Sequence, residues 1–255
     1  MASGVTMRLI CGWGVAVLAA WGMAASAAQV QVAVAANMAA PMQKIAADFA
    51  RTSGHQAVIV LGSTGKFYAQ IRSGAPFELL LAADDETPAR LEREGLGVGG
   101  TRFTYATGRL ALWSADPAGV DPQGQVLLRP PAGKLAIADP RLAPYGAAAL
   151  EALKHLGVLA AWQPHIVQGE NIAQAYQFAA TGAAPLAFVA LAQVMVDGRI
   201  GKGSAWVVPA NLHAPLKQDA LVLTPGKSNP AAAALVDYLK GDAARATLRG
   251  YGYEF

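Results

Sequence analysis

Two stretches near the start of the chain share one plan. VQVAVAANMAAPMQKIAADF, from Val30, and QAVIVLGSTGKFYAQI, from Gln56, each run from an apolar segment through a short polar junction into apolar residues at helical spacing. In the first, Met42, Ile45, Ala46 and Phe49 follow the junction at three- and four-residue intervals, and Gly54 supplies a stop. That pattern predicts a buried strand and then an amphipathic helix. In the second, Phe67 and Ile71 are four apart and Gly74 is the stop, after which FELLLAA, residues 77–83, reads as a third strand. Strands separated by single helices are too far apart in sequence to pair as hairpins. The crossovers make them parallel neighbours, and the chain an α/β protein.

The plan recurs after residue 130. KLAIADP (134–140) is a strand, AAALEALKHLG (147–157) a helix with Leu150, Leu153 and Leu156 on one face, and NIAQAYQFAATG (171–182) a second helix. APLAFVALA (184–192) and SAWVVP (204–209) are strands. Two extended segments, GRLALWSA (108–115) and DALVLTP (219–225), separate this set from the first and from a closing helix at 231–239. The expected architecture is two α/β lobes, each a mainly parallel sheet flanked by helices, joined by two crossing strands. Residues 29–110 would begin lobe 1, 111–218 form lobe 2, and 219–255 return to lobe 1. Lobes of about 100 residues can each bury a core of their own.

Residues 1–28 stand apart. Arg8 is their one charge, Val15 to Met23 is an apolar run, and Ala25-Ser26-Ala27-Ala28 offers small residues before Gln29. This is the plan of a cleavable secretory signal, and the run is short of the roughly 20 apolar residues a spanning helix needs. Cleavage would remove Cys11, the chain's one cysteine, and lower the formal net charge of +3 by one. With basic residues scattered and none interleaved with aromatics in a stripe, nucleic acid has little electrostatic hold.

In open parallel sheets, ligands bind beyond the carboxyl ends of the strands, where helix N-termini offer unpaired N–H groups and a positive dipole end. Four junctions carry suitable residues: Asn37; Ser63 with Thr64; Tyr145, in PYG; and Glu170-Asn171-Ile172. Any one of them could be a structural helix cap, worth about 1 kcal/mol. All four together favour an anion site. GSTGK is not a nucleotide loop, because Val60 stands where the first glycine of G-x-x-x-x-G-K-[ST] belongs and Phe67 where the metal-binding hydroxyl belongs. Catalysis has less support: the four histidines form no metal-ligand pair and no serine sits in a G-x-S-x-G elbow. Asp84-Asp85-Glu86 fits a solvated turn and helix start better than a metal cluster, and DGRIGKG (197–203) reads as a turn.

In combination, VAVAANMAAPMQKIAADF, GSTGKFYAQIRSGAPFELLLAAD, LAIADPRLAPYGAAALEALKHLG, GENIAQAY, APLAFV and VDYLKGDAARATLRGYGY give the chain from Val30 onward a resemblance to the periplasmic molybdate-binding proteins of ABC importers. The resemblance implies a two-lobed, type II periplasmic-binding fold that closes on molybdate or tungstate, with no catalysis and no cofactor. Molybdenum would enter only as the oxyanion, held at Asn37, Thr64, Tyr145 and Ile172, with Ser63 beside Thr64 and Ile172 donating its backbone amide. Some relatives place a tyrosine where this chain has Ala190, so Tyr145 is expected to supply the phenol instead. The implied partner is the membrane permease, and the implied state a periplasmic monomer. Another tetrahedral oxyanion such as sulfate, or an exported metal-dependent hydrolase using Asp84 to Glu86, are the alternatives. Lys66 and Glu170 flank the site and are expected to point outward.

Overall fold

Alternation at single-residue spacing organises the first sheet. Val30, Val32 and Val34 turn to one side and Ala33 to the other; Leu79 and Leu81 oppose Leu80, and Ala220 and Val222 oppose Leu221. Each strand therefore has two apolar faces, and each face needs helices to cover it. Each fully buried valine or leucine contributes about 1.5–3 kcal/mol.

The structure, a computed structural model, describes residues 1–2, 27–196 and 198–255. The signal reading of residues 1–28 lies almost wholly outside the described residues. In chain order the first elements are β1 (Gln29–Ala35), α1 (Ala39–Ser53), β2 (Gln56–Gly62), α2 (Thr64–Arg72), β3 (Leu79–Leu81), α3 (Glu86–Arg93), β4 (Phe103–Gly108) and β5 (Leu110–Ser114). Next come β6 (Leu135–Ala138), α4 (Pro144–His155), α5 (Leu159–Trp162), β7 (Ile166–Gly169), α6 (Ile172–Ala180), β8 (Leu186–Ala190) and α7 (Leu191–Val194). The chain continues through β9 (Met195–Val196), β10 (Arg199–Ile200), β11 (Ser204–Val207), β12 (Leu216–Val222), α8 (Pro230–Lys240) and α9 (Asp242–Gly250).

The large strands make two sheets, ordered β2-β1-β3-β12-β4 and β11-β5-β8-β6-β7. Pairs linked through helices are parallel, as β1 is with β2 and β3, and β6 with β7 and β8. The strands that carry the chain between sheets run antiparallel to their neighbours, so both sheets are mixed. One face of the first sheet packs Val32, Ile45, Phe49, Leu235 and Leu248, and the other packs Phe67, Leu80 and Leu91. The second sheet has its own core around Leu112, Ile137, Leu153 and Phe188.

The chain changes sheets at Arg109 and again within 208–215, whereas the sequence reading set the borders after 110 and after 218. Leu110 already pairs with Ala190 in the second sheet, and Leu216 with Gly108 in the first. Helix α4 also differs from its expected face. Ala148, Ala149, Ala152 and Leu153 are buried, with Leu150 and Leu156 only partly so, because alanines let the helix lie close against the sheet. The turn at DGRIGKG is the short β9-β10 hairpin, in which Asp197 is outside the described residues.

Candidate oxyanion site

Because β1, β2 and β3 are parallel, their carboxyl ends meet at one edge of the first sheet, and the ends of β6 and β7 face them from the second. Between them lies a cavity of about 10 Å³, room for the centre of about one water-sized sphere. All five residues picked from the sequence, Asn37, Ser63, Thr64, Tyr145 and Ile172, line it, and no lining residue carries a charge. A sugar or an amino acid is far too large for this space. A small inorganic ion is the matching class.

Each junction presents its donor differently. Ser63 is the N-cap of α2, yet its side chain makes no capping bond. Its Oγ is buried and has no hydrogen-bond partner among the described residues. An orphaned buried hydroxyl costs about 1–3 kcal/mol, so the site is incomplete without an acceptor at this point. Thr64 Oγ1 accepts from Ala83 N at 3.0 Å, which leaves its hydrogen for the cavity. At α6, Asn171 Oδ1 accepts from Ala173 N at 3.0 Å and Gln174 N at 3.1 Å. The amide of Ile172, first in the helix, has no intrahelical acceptor.

Tyr145 is 2 % exposed, in the first turn of α4. Its hydroxyl oxygen accepts from Gln218 Nε2 at 3.0 Å, so its one hydrogen is left to donate. The cavity takes its phenol from α4, since β8 ends in the buried Ala190.

The carboxamide of Asn37 is committed inside the protein. Its Nδ2 donates to Gln218 Oε1 and to Tyr253 OH, both at 2.9 Å, which uses both amide hydrogens. Its backbone N–H lies in the short 3-10 turn Ala36–Met38, whose opening amides have no acceptor within the turn. Gln218 and Tyr253 form, with Tyr105, a buried polar layer behind the site that sequence reasoning missed. Nothing local marks them, because their contacts to Asn37 span 181 and 216 residues of chain.

Two contacts hold the lobes together over the cavity. Gly65 N, in the first turn of α2, donates to Leu142 O in the opposite lobe at 2.9 Å. Lys66 and Glu170, expected to point outward, are half-exposed and do not line the cavity, but pair with each other across the cleft. The acids at 84–86 serve α3: Asp84 Oδ1 accepts from Thr87 N at 2.8 Å, and burial holds the Asp84 carboxyl above its ordinary range. Among the described residues, no group of three or more His, Cys, Asp or Glu side chains is arranged to hold a metal.

Burial also lifts the hydroxyls of Tyr105, Tyr145 and Tyr253 above the ordinary phenol value of 10.0. The folded chain thus keeps these protons to higher pH than the unfolded chain does. Their contribution to stability is fully present below about pH 10 and is lost as pH rises further, at up to roughly 1 kcal/mol per pH unit for each phenol. Urea titrations from neutral pH to pH 11 are expected to show a plateau and then this fall, with a shallower fall in Tyr145→Phe.

A two-lobed α/β frame with a small, donor-lined cavity in its cleft defines a solute-binding protein. The chain belongs to the family described as Bacterial extracellular solute-binding protein, which it matches over residues 30–254. Within it, the chain is similar to the molybdate-binding protein ModA of Azotobacter vinelandii, 56 % identical over 224 residues, covering 88 % of this chain and 89 % of the relative. The molybdate-binding protein ModA of Rhodobacter capsulatus is 49 % identical over 221 residues, covering 87 % and 86 %. Among solved structures, the periplasmic molybdate-binding protein of Azotobacter vinelandii superposes with a TM-score of 0.86 at 39 % identity, over 89 % of this chain and 99 % of that one.

Proposed function

We propose that this chain captures molybdate, and tungstate with it, in the periplasm and delivers it to the membrane permease of an ABC importer. The observation that carries the proposal is that the residues lining the cavity carry no charge and that Ser63 Oγ, buried among them, is left unpartnered. A tetrahedral dianion has only acceptors, so a ring of hydroxyls and amides matches it. The same ring penalises protonated phosphate, whose O–H would meet no acceptor. Helix N-termini at α2, α4 and α6 supply positive potential without a salt bridge.

Sulfate carries the same charge on a smaller frame, so its rejection rests on cavity size and slack hydrogen bonds. Binding, rather than turnover, is the activity, and no cofactor takes part. The lobes, residues 29–108 with 216–255 and residues 110–207, close about the two crossings as a monomer, after export removes residues 1–28.

Isothermal titration with molybdate, tungstate, sulfate and phosphate tests this reading. Molybdate and tungstate should bind and the other two should not; sulfate binding as tightly as molybdate would overturn the specificity. Tyr145→Phe, which deletes one charge-assisted donor, should weaken molybdate binding by about 1–3 kcal/mol, or roughly five- to 150-fold. An unchanged affinity would remove Tyr145 from the site.

A further inference from the structure

We propose that Gln218 is a positioning residue that aims the hydroxyl hydrogen of Tyr145 at the bound anion, through a chain of hydrogen bonds whose direction is fixed at the Asn37 carbonyl. The inference rests on the oxyanion reading of the cavity. Gln218 is fully buried on β12, at a shift of register where that strand pairs with β4. It lies behind the cavity and is not among the residues that line it.

The direction follows from valence. A backbone carbonyl can only accept, so Tyr253 OH donates to Asn37 O at 3.1 Å. Its hydrogen spent, the Tyr253 oxygen can only accept from the Asn37 side chain, which must present Nδ2 there. The second Nδ2 hydrogen then faces Gln218, which must answer with Oε1; Tyr105 OH also lies 2.9 Å from that oxygen, with its one hydrogen shared between it and Ala82 O at 2.8 Å. With Oε1 so committed, the other end of the Gln218 amide is Nε2, and it donates to Tyr145 OH. The Tyr145 oxygen therefore accepts from behind, and its hydrogen is turned away from Gln218.

One protein acceptor competes for that hydrogen. The Tyr253 hydroxyl lies alongside Tyr145, but it already accepts from Asn37, and bonds to an ionised acceptor are roughly twice as strong as bonds to a neutral one. An arriving dianion takes the hydrogen. The amide of Gln218 thus converts a phenol that could accept or donate into an obligate donor. It also ties Tyr145, on α4 of the second lobe, to Asn37 and Tyr105 of the first.

A double-mutant cycle on the full chain tests this, read by molybdate titration calorimetry. Gln218→Met should weaken binding about tenfold or more in the wild-type background, and less than about threefold in Tyr145→Phe, where no hydroxyl remains to aim. A merely structural role would give the same loss in both backgrounds, and that result, or no loss in either, overturns the proposal. Gln218→Met leaves buried donors unpaired, so Gln218→Asn is run in parallel. It keeps the amide but is one methylene too short to reach Tyr145, and the same pattern is expected. Thermal melts of each ligand-free variant establish that it folds. If wild type binds sulfate and not molybdate, the molybdate reading fails, and the cycle, repeated with sulfate, still decides the role of Gln218.

Discussion

Gly65→Val is expected to leave the ligand-free protein folded with its melting temperature unchanged while weakening molybdate binding by about 100-fold, or close to 3 kcal/mol. Gly65 lies in the first turn of α2, where its N–H donates to Leu142 O across the cleft. A Cβ at this position would stand 3.0 Å from Leu142 Cα and 3.1 Å from Leu142 O, both backbone atoms that cannot rotate away. The γ-methyls of valine add further bulk against the same chain. Overpacking of this kind costs about 1–3 kcal/mol, and here the cost falls only on the closed arrangement, because Leu142 belongs to the other lobe. Binding proteins that close about a hinge hold their ligand through that closure, so the loss should show mainly as faster release. Stopped-flow dissociation and a melting curve, compared with wild type, separate the two terms. A variant that binds normally would mean that the lobes need not meet at this point. One that melts early without ligand would mean that Gly65 supports the fold of lobe 1.

Much of this contact was legible in the sequence and some was not, for physical reasons. Local signals located the site: an apolar run, a polar junction and a helical period recur at Asn37 and Ser63-Thr64, a polar junction and a helical period at Ile172, and the fold brings those helix starts to one cavity. Strands β1, β6 and β8 were readable because they are largely buried and apolar, and the half-exposed edge strand β2 because Ala57 to Leu61 is an unbroken apolar run. Helix α3 showed only its start, at Asp84 to Glu86, since ETPARLER has Pro88 early and Leu91 as its one large apolar residue, and α9 buries only Ala244 and Leu248. Strand β7, IVQG, is too short and too polar to show a period. The layer behind the site was beyond sequence reasoning altogether. Gln218 sits at a strand irregularity and Tyr253 near the end of the chain, and only tertiary structure delivers them to Asn37. The same limit applies to Asn37, one of the residues that line the cavity. Its carboxamide is taken by partners that no short-range pattern could reveal.

That hidden layer makes Gly108→Ala a damaging small change near the site. Gly108 is the last residue of β4, directly opposite Leu216 on β12 and one residue before the first crossing. A methyl there would fall inside contact distance of both Tyr145 OH and Gln218 Nε2, and 3.1 Å from Tyr145 Cζ. It would occupy the space of the hydrogen bond that joins them. Neither partner can retreat easily: Tyr145 is packed in the first turn of α4, and Gln218 is held by Asn37 and Tyr105. Splitting the pair leaves buried polar groups unsatisfied, at about 1–3 kcal/mol each, on top of about 1–3 kcal/mol for overpacking. Molybdate affinity should therefore fall by more than about 100-fold, and the ligand-free protein should also melt several degrees lower, at about 2–4 °C per kcal/mol for a chain of this size. Gly99→Ala is the matched control, because a Cβ there meets nothing within 4 Å, and it should stay within about 0.5 kcal/mol of wild type. The signature separates two ways of losing the ligand. Gly65→Val should act on closure alone and Gly108→Ala on closure and fold together, since the first glycine makes room between lobes and the second makes room inside the polar layer that serves both. A Gly108→Ala protein with normal affinity would show that Tyr145 and Gln218 need not touch for the anion to be held.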